Sequence, residues 1–186
     1  MGINDLPDEL IGLVQRSRAG ERRAFEQLIL RYQRDATELA IRILGDRDAA
    51  CEAVQEGFFK AYVNIGRLRR ADGFGSWLLR IIANEAINCR RFIRRRQKNV
   101  RLNEELEDLK GLSAQEKLAN EELGDRVREA MLKLTEKQAK AIGLFAMEGL
   151  SQKEAAEVMG CSVEAIRWHV FQAKKKLRVL LKDFVE

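Results

Sequence analysis

The chain has 186 residues, 46% hydrophobic and 34% charged, which is enough apolar material for a packed core and excludes wholesale disorder. One proline and 6% aromatics exclude a β-sandwich or barrel with its many turns. The 34 basic and 29 acidic residues leave a net +5, no apolar run approaches a membrane span, and the polar start MGINDLPDEL is not a secretory leader.

The apolar period is helical nearly everywhere. Pro7 suits a first helical turn, and Leu10, Leu13 and Val14 make a short stripe that ends near Gly20. A second helix is predicted from about Glu21 to Leu44, with Phe25, Leu28, Ile29, Tyr32, Ala36, Leu39, Ala40 and Ile43 on one face. Gly45-Asp46 stops it. Asp46 or Asp48 can cap the next helix, which reaches about Asn64. Gly66 to Gly75 holds three glycines and three arginines and reads as a loop. From Ser76 to about Arg96 the period returns, with Trp77, Leu78, Ile81, Ile82, Ile87 and Ile93.

The charge then swings. Arg90 to Arg101 holds seven basic residues and no acid, whereas Asn103 to Asp125 holds eight acids and two lysines. This swing marks the expected boundary: a first domain over 1–96, an acidic linker over 97–113 and a second domain over 114–186. Capping boxes at Ser113 with Glu116, Thr135 with Gln138 and Ser151 with Glu154 start three of four helices expected from about 114, 136, 152 and 163. The expected fold is therefore all-α: two small helical domains joined by an acidic flexible linker, the second ending in a helix-turn-helix.

That last element spans Ser151 to Lys174. Ala156 permits a close helix crossing, Gly160 supplies a positive φ in the turn, and Ile166 plugs the angle between the helices. Ser162 caps the second helix, whose inner face is Val163, Ile166, Val170, Ala173 and Leu177. Arg167, Trp168, Phe171, Gln172, Lys174 and Lys175 fall on outer or flanking positions, and Arg167 to Lys182 holds six basic residues and no acid. Such a helix can read base edges in the major groove while its cations hold phosphates. Trp168 and Phe171 either face outward in that role or, with the helix rotated, join the core.

No enzyme is expected. The one histidine, His169, lies on the recognition helix, and no nucleophile-base pair, phosphate loop or dinucleotide glycine pattern is present. Cys51, Cys89 and Cys161 lack metal spacing and fit a reducing compartment, so no metal and no cofactor is expected. Cys51 and Cys161 read as small buried or half-buried residues. Cys89, among arginines, is open to a lowered thiol pKa.

Two motif sets in order, AFEQLILRY at 24–32, EAVQEGFFKAY at 52–62 and FGSWLLRIIANEAINCRR at 74–91, then AIRWHVFQAKKKL at 165–177, resemble a bacterial sigma factor of the extracytoplasmic-function (ECF) group over about residues 8 to 182. The resemblance implies that the first domain binds the minus-10 promoter element and the coiled coil of the RNA polymerase β′ clamp. The second would bind the minus-35 element and the β flap. It implies promoter DNA as partner, both duplex and nontemplate single strand, and an anti-sigma protein as inhibitor, in the cytoplasm and at the nucleoid.

Residue roles follow by the same resemblance. Glu52, Gln55 and Glu56 would meet the clamp. Asn84 would take an extruded base, with Asn88 on the same face, and Arg80, Arg91, Arg94 and Arg95 would track phosphates. Ser162, Arg167, Trp168, Phe171, Gln172 and Lys175 would bind the minus-35 element. The chain departs from the family at Glu52, where Asp is usual, at Gly57, where Thr is usual, and over 165–169 and at Gln172, so its preferred minus-35 sequence should differ. The acidic linker would thread into the polymerase's basic channels. A sigma-like decoy for an anti-sigma protein would lose its DNA-facing cations, yet both basic clusters stand here. A simple helix-turn-helix regulator would leave the segments at Gln55-Glu56 and Trp77 unexplained.

Overall fold

The computed structural model describes residues 8–104, 118–146 and 150–182, with side chains described over 8–96, 125–146 and 150–182. Among the described residues there are eight α-helices, two 3-10 turns and no strand. The helices are α1 (Asp8–Arg18), α2 (Arg22–Leu44), α3 (Arg47–Asn64), α4 (Phe74–Glu104), α5 (Leu118–Lys133), α6 (Glu136–Phe145), α7 (Gln152–Met159) and α8 (Val163–Leu180). The expected capping box at Ser113 and the bulk of the acidic linker lie outside the described residues.

The first domain is α1 to α4 around one apolar core. Phe25, Leu28, Tyr32 and Ala36 of α2 meet Val54 and Phe58 of α3 and Leu78, Leu79 and Ile82 of α4. Gly45 ends α2 at φ 70°, its N–H donating to the Ile41 carbonyl, and the Asp46 carboxylate accepts from the Ala49 N–H at 2.9 Å to start α3. Gly57 has a packing reason that helix propensity alone misses. A β-carbon there would lie 2.5 Å from Ile82 Cδ1, so its absence lets α3 and α4 approach.

Two helix limits differ from the sequence expectation. α4 starts at Phe74, not Ser76, because Phe74 is buried and its ring meets Tyr32 edge-on at 5.4 Å. α4 also runs past residue 96 to Glu104. A basic run of Arg, Gln and Lys with no Gly or Pro is good helix material, so a change of charge sign is not a change of backbone. Cys51 is a further correction: it is exposed, because it faces outward between buried Ala50 and Ala53.

In the second domain, Thr135 and Ser151 form complete capping boxes with Gln138 and Glu154, and the Ser162 hydroxyl accepts from the Ala165 N–H at 3.2 Å. Gly160 adopts φ 65° in the turn between α7 and α8, and Ala156, Ile166, Val170 and Ala173 are buried, as expected. Lys176 Nζ donates to the Lys133 carbonyl at 2.5 Å, tying α8 to the end of α5.

The two domains pack directly on each other, which the sequence did not foretell. α6 lies on α2. A β-carbon on Gly143 would meet Ile43 Cγ1 at 3.0 Å and Leu39 Cδ1 at 3.5 Å. Arg128 of α5 passes over Gly45 and pairs with Asp46 at 3.5 Å.

Candidate nucleic-acid interface

Arg80, Asn84, Asn88 and Arg91 recur at helical spacing, so α4 presents them as one polar stripe. The second domain lies against this stripe. Arg80 Nε donates to the Val158 carbonyl at 3.2 Å, and its Nη2 donates to the Glu157 carbonyl, both at the C-terminal end of α7. The negative end of the helix dipole favours a cation there. Lys140 Nζ donates to Asn84 Oδ1 at 2.6 Å. Arg91 makes a two-pronged pair with Glu136, Nε to Oε1 and Nη2 to Oε2, both 2.6 Å. Each partner moves the other in the expected direction: Glu136 raises Arg91, and Arg91 holds the Glu136 carboxyl below its ordinary value. Asn88 accepts weakly from Arg91 Nη1 at 3.4 Å, and Arg94 and Arg95 are exposed.

Arg80, Asn84 and Arg91, read from sequence as open to DNA, are thus engaged within the chain. Their partners lie 45 to 78 residues away in sequence, beyond any local pattern. Arg90, which the sequence reading did not single out, is only 1% exposed. Its Nη2 donates to the carbonyls of Leu132 and Leu134, at the turn between α5 and α6. Burial pushes its guanidinium down to about 10.

Beside Asn84 is a cleft of about 310 Å³ walled by Trp77, Ile81, Lys60, Asn64 and Arg67. Trp77 is half-buried and packs on Phe74 at 5.9 Å, so it is both a core contact and a wall of the cleft. Lys60 is held at the rim by Glu85 at 2.6 Å and Glu56 at 3.2 Å. Lys60 and Arg67 were not singled out from sequence, although Arg67 stood in the arginine-rich loop.

On α3, Glu52, Gln55 and Glu56 are all exposed on one side. Phe59 and Val63 continue that surface by one and two turns, each about 60% exposed (62% and 63%). The helical period could have revealed this apolar extension. Cys89 corrects the expectation of a lowered thiol pKa. It is half-buried, and burial, with Glu52 and Asp46 nearby, raises its thiol.

On α8, Trp168 and Phe171 are exposed (56% and 63%), which decides between the two placements open from sequence. Trp168 meets His169 edge-on at 4.9 Å. Arg167 Nε donates to Gln152 Oε1 at 2.7 Å, so the start of α7 fixes its direction. Lys175 and Ser162 are exposed, and Gln172 is half-buried.

An all-helical chain with a basic polar helix beside an aromatic-walled cleft, and a helix-turn-helix with outward aromatics and cations, has the form of a DNA-binding transcription protein. Comparison with known proteins narrows the class. Residues 28–99 match the family Sigma-70 region 2 and residues 124–177 match Sigma-70, region 4. The chain is 32% identical over 185 residues to the RNA polymerase sigma-H factor of Pseudomonas aeruginosa, covering 92% of this chain and 95% of that one. It is 34% identical over 173 residues to the ECF RNA polymerase sigma-E factor of Haemophilus influenzae, covering 89% and 91%. It resembles the solved structure of CnrH in complex with the cytosolic domain of CnrY (TM-score 0.68, 27% identity, 95% and 99% covered). It also resembles the sigma factor RpoE in complex with the anti-sigma factor NepR from Bartonella quintana (TM-score 0.57, 25% identity, 85% and 96% covered). The chain belongs to the ECF group of RNA polymerase sigma factors.

Proposed function

We propose that this chain directs core RNA polymerase to promoters by reading two elements, and that α4 and α8 divide the work. The observation that carries the reading is the cleft at Asn84. It has an aromatic wall at Trp77, an amide at its rim and cations at Lys60 and Arg67, the features an extruded base and its phosphates require. Asn84 and Asn88 supply amides for base edges, while Arg80, Arg91, Arg94 and Arg95 track the nontemplate strand. Ser162, Arg167, Trp168, Phe171, Gln172 and Lys175 contact the minus-35 duplex, with Arg167 and Gln172 suited to guanine and adenine.

The α3 surface of Glu52, Gln55 and Glu56, extended by Phe59, docks the polymerase clamp, and the second domain meets the flap. The polymerase supplies the chemistry, so the chain is an initiation factor rather than an enzyme. Its working place is the bacterial cytoplasm; among the described residues no helix is long and apolar enough to cross a membrane. The likeness to a sigma factor solved with an anti-sigma factor supports a protein inhibitor as a further partner.

Run-off transcription with core polymerase tests the reading: initiation from a defined promoter is expected, whereas a decoy or a simple operator-binding regulator gives none. Asn84→Ala should keep polymerase binding yet lower permanganate reactivity of unpaired thymines. Wild-type reactivity in that variant would reject the assignment of Asn84.

A further inference from the structure

We infer that Phe92 of α4 is a second base-stacking platform for the nontemplate strand, taking a base a few nucleotides from the one held at Asn84. The inference rests on the reading of α4 as the minus-10 binder and adds a subsite to it.

Helical spacing puts Phe92 on the line of the cleft. Trp77, Ile81, Asn84, Asn88 and Phe92 follow one another at steps of three or four residues, so the cleft wall, the amides and the Phe92 ring share one face. Phe92 comes directly after Arg91 and is therefore turned about 100° from it around the helix. Arg91 is held by Glu136 of the second domain, whereas Phe92 is left 65% exposed. From Asn84 to Phe92 the helix rises about 12 Å. At about 3.4 Å per stacked nucleotide of one strand, that is the span of roughly three or four nucleotides.

The ring adds nothing to the core; its neighbour Ile93 is the residue that packs inward there. What surrounds the ring is cationic. Arg91, Arg94, Arg95 and Arg96 flank it and are exposed. Among the described residues, Arg94, Arg95 and Arg96 enter no ion pair. An aromatic face among such guanidiniums suits a single strand, the ring stacking a base and the cations holding its phosphates. An apolar protein surface would match the ring but would desolvate these charges without pairing them. Charge complementarity therefore selects the polynucleotide as the occupant.

The test uses holoenzyme formed with wild type, Phe92→Ala, Phe92→Leu, Phe92→Trp and Asn84→Ala. The probe is the nontemplate minus-10 strand of a promoter from which the wild-type holoenzyme initiates. Fluorescence anisotropy reads affinity for the intact strand, and then for strands with one abasic position moved along the sequence. Wild type should show a penalty at the base held by Asn84, the one that Asn84→Ala removes, and a second penalty roughly three or four nucleotides away. Phe92→Ala should bind the intact strand about ten-fold more weakly and lose only that second penalty. Phe92→Trp should restore both affinity and penalty, and Phe92→Leu should restore neither, because stacking needs a ring rather than apolar bulk. Identical abasic profiles for wild type and Phe92→Ala would overturn the inference, and so would wild-type affinity in Phe92→Leu. Weaker assembly of Phe92→Ala with core polymerase would also overturn it, since the ring would then face protein. A wild-type profile with no penalty that Asn84→Ala removes would instead sink the underlying reading of α4, so the two failures are told apart.

Discussion

The helices α4 and α8 carry comparable equipment for DNA and meet solvent in opposite ways. Arg80, Asn84 and Arg91 of α4 are each bonded to the other domain, whereas Trp168, Phe171 and Lys175 of α8 face outward. The difference comes from domain packing, since both faces follow the same helical spacing. It teaches that a DNA-reading face is defined by what the rest of the chain does to it as well as by its own residues. In this chain access to α4 is coupled to the placement of α6 and α7, while α8 needs only its own small domain.

The most severe way to break the contrast is to unseat α8 itself. Ile166 is 1% exposed between α7 and α8, so Ile166→Ala should cost about 2–5 kcal/mol of second-domain stability. It should abolish minus-35 binding and at the same time uncover α4, because α7 supplies the carbonyls that hold Arg80. Thermal unfolding and binding of each element read the two effects.

A smaller effect separates the faces. Arg167→Ala should weaken minus-35 binding by about 1–3 kcal/mol and relax preference at one base pair. The loss should be equal in the wild-type and Gly143→Phe backgrounds, because the α8 face is open in both. Arg91→Ala should behave differently. In the wild-type background a lost phosphate contact is offset by a loosened closure, so strand affinity changes little; in the Gly143→Phe background the full loss appears. Equal losses for Arg91→Ala in both backgrounds would erase the distinction between the faces.

The smallest effect is on pH. Arg91 holds the Glu136 carboxyl below its ordinary 4.5, so the contribution of this pair to closure is present above that value and lost as pH falls through the lowered one. Scattering from neutral down to about pH 3 should show the free chain expanding at the acid end. Arg90, Arg91 and Lys140 face the carboxylate and stay charged throughout. Glu136→Gln should remove that component of the pH dependence.

Much of this was legible in the sequence. Ser151 and Thr135 stand three residues before Glu154 and Gln138, and both boxes form, because capping is decided within one turn of chain. Gly160 takes the positive φ its place in the turn demands, and the inner face of α8 follows from spacing. What escaped was contact between distant segments. Nothing near Gly143 announces that Ile43 will lie against it, and Gly57 looks like a weak point in α3 until Ile82 is seen across from it. The end of α4 escaped for another reason: charge changes sign near residue 102, but helix propensity does not. Of the proposed DNA contacts, their helices and stripes could be read from spacing, but the partners of Arg80, Asn84 and Arg91 could not.

The closed free chain is tested most directly by a distance across the domain boundary. Cys51 on α3 is exposed and serves as one spin label, Glu164→Cys at the start of α8 serves as the other, and Cys89 and Cys161 are replaced by serine. Pulsed electron-electron resonance on the free chain should give one short, narrow distance that lengthens when core polymerase is added. A broad, long distribution in the free chain, unchanged by polymerase, would contradict the account.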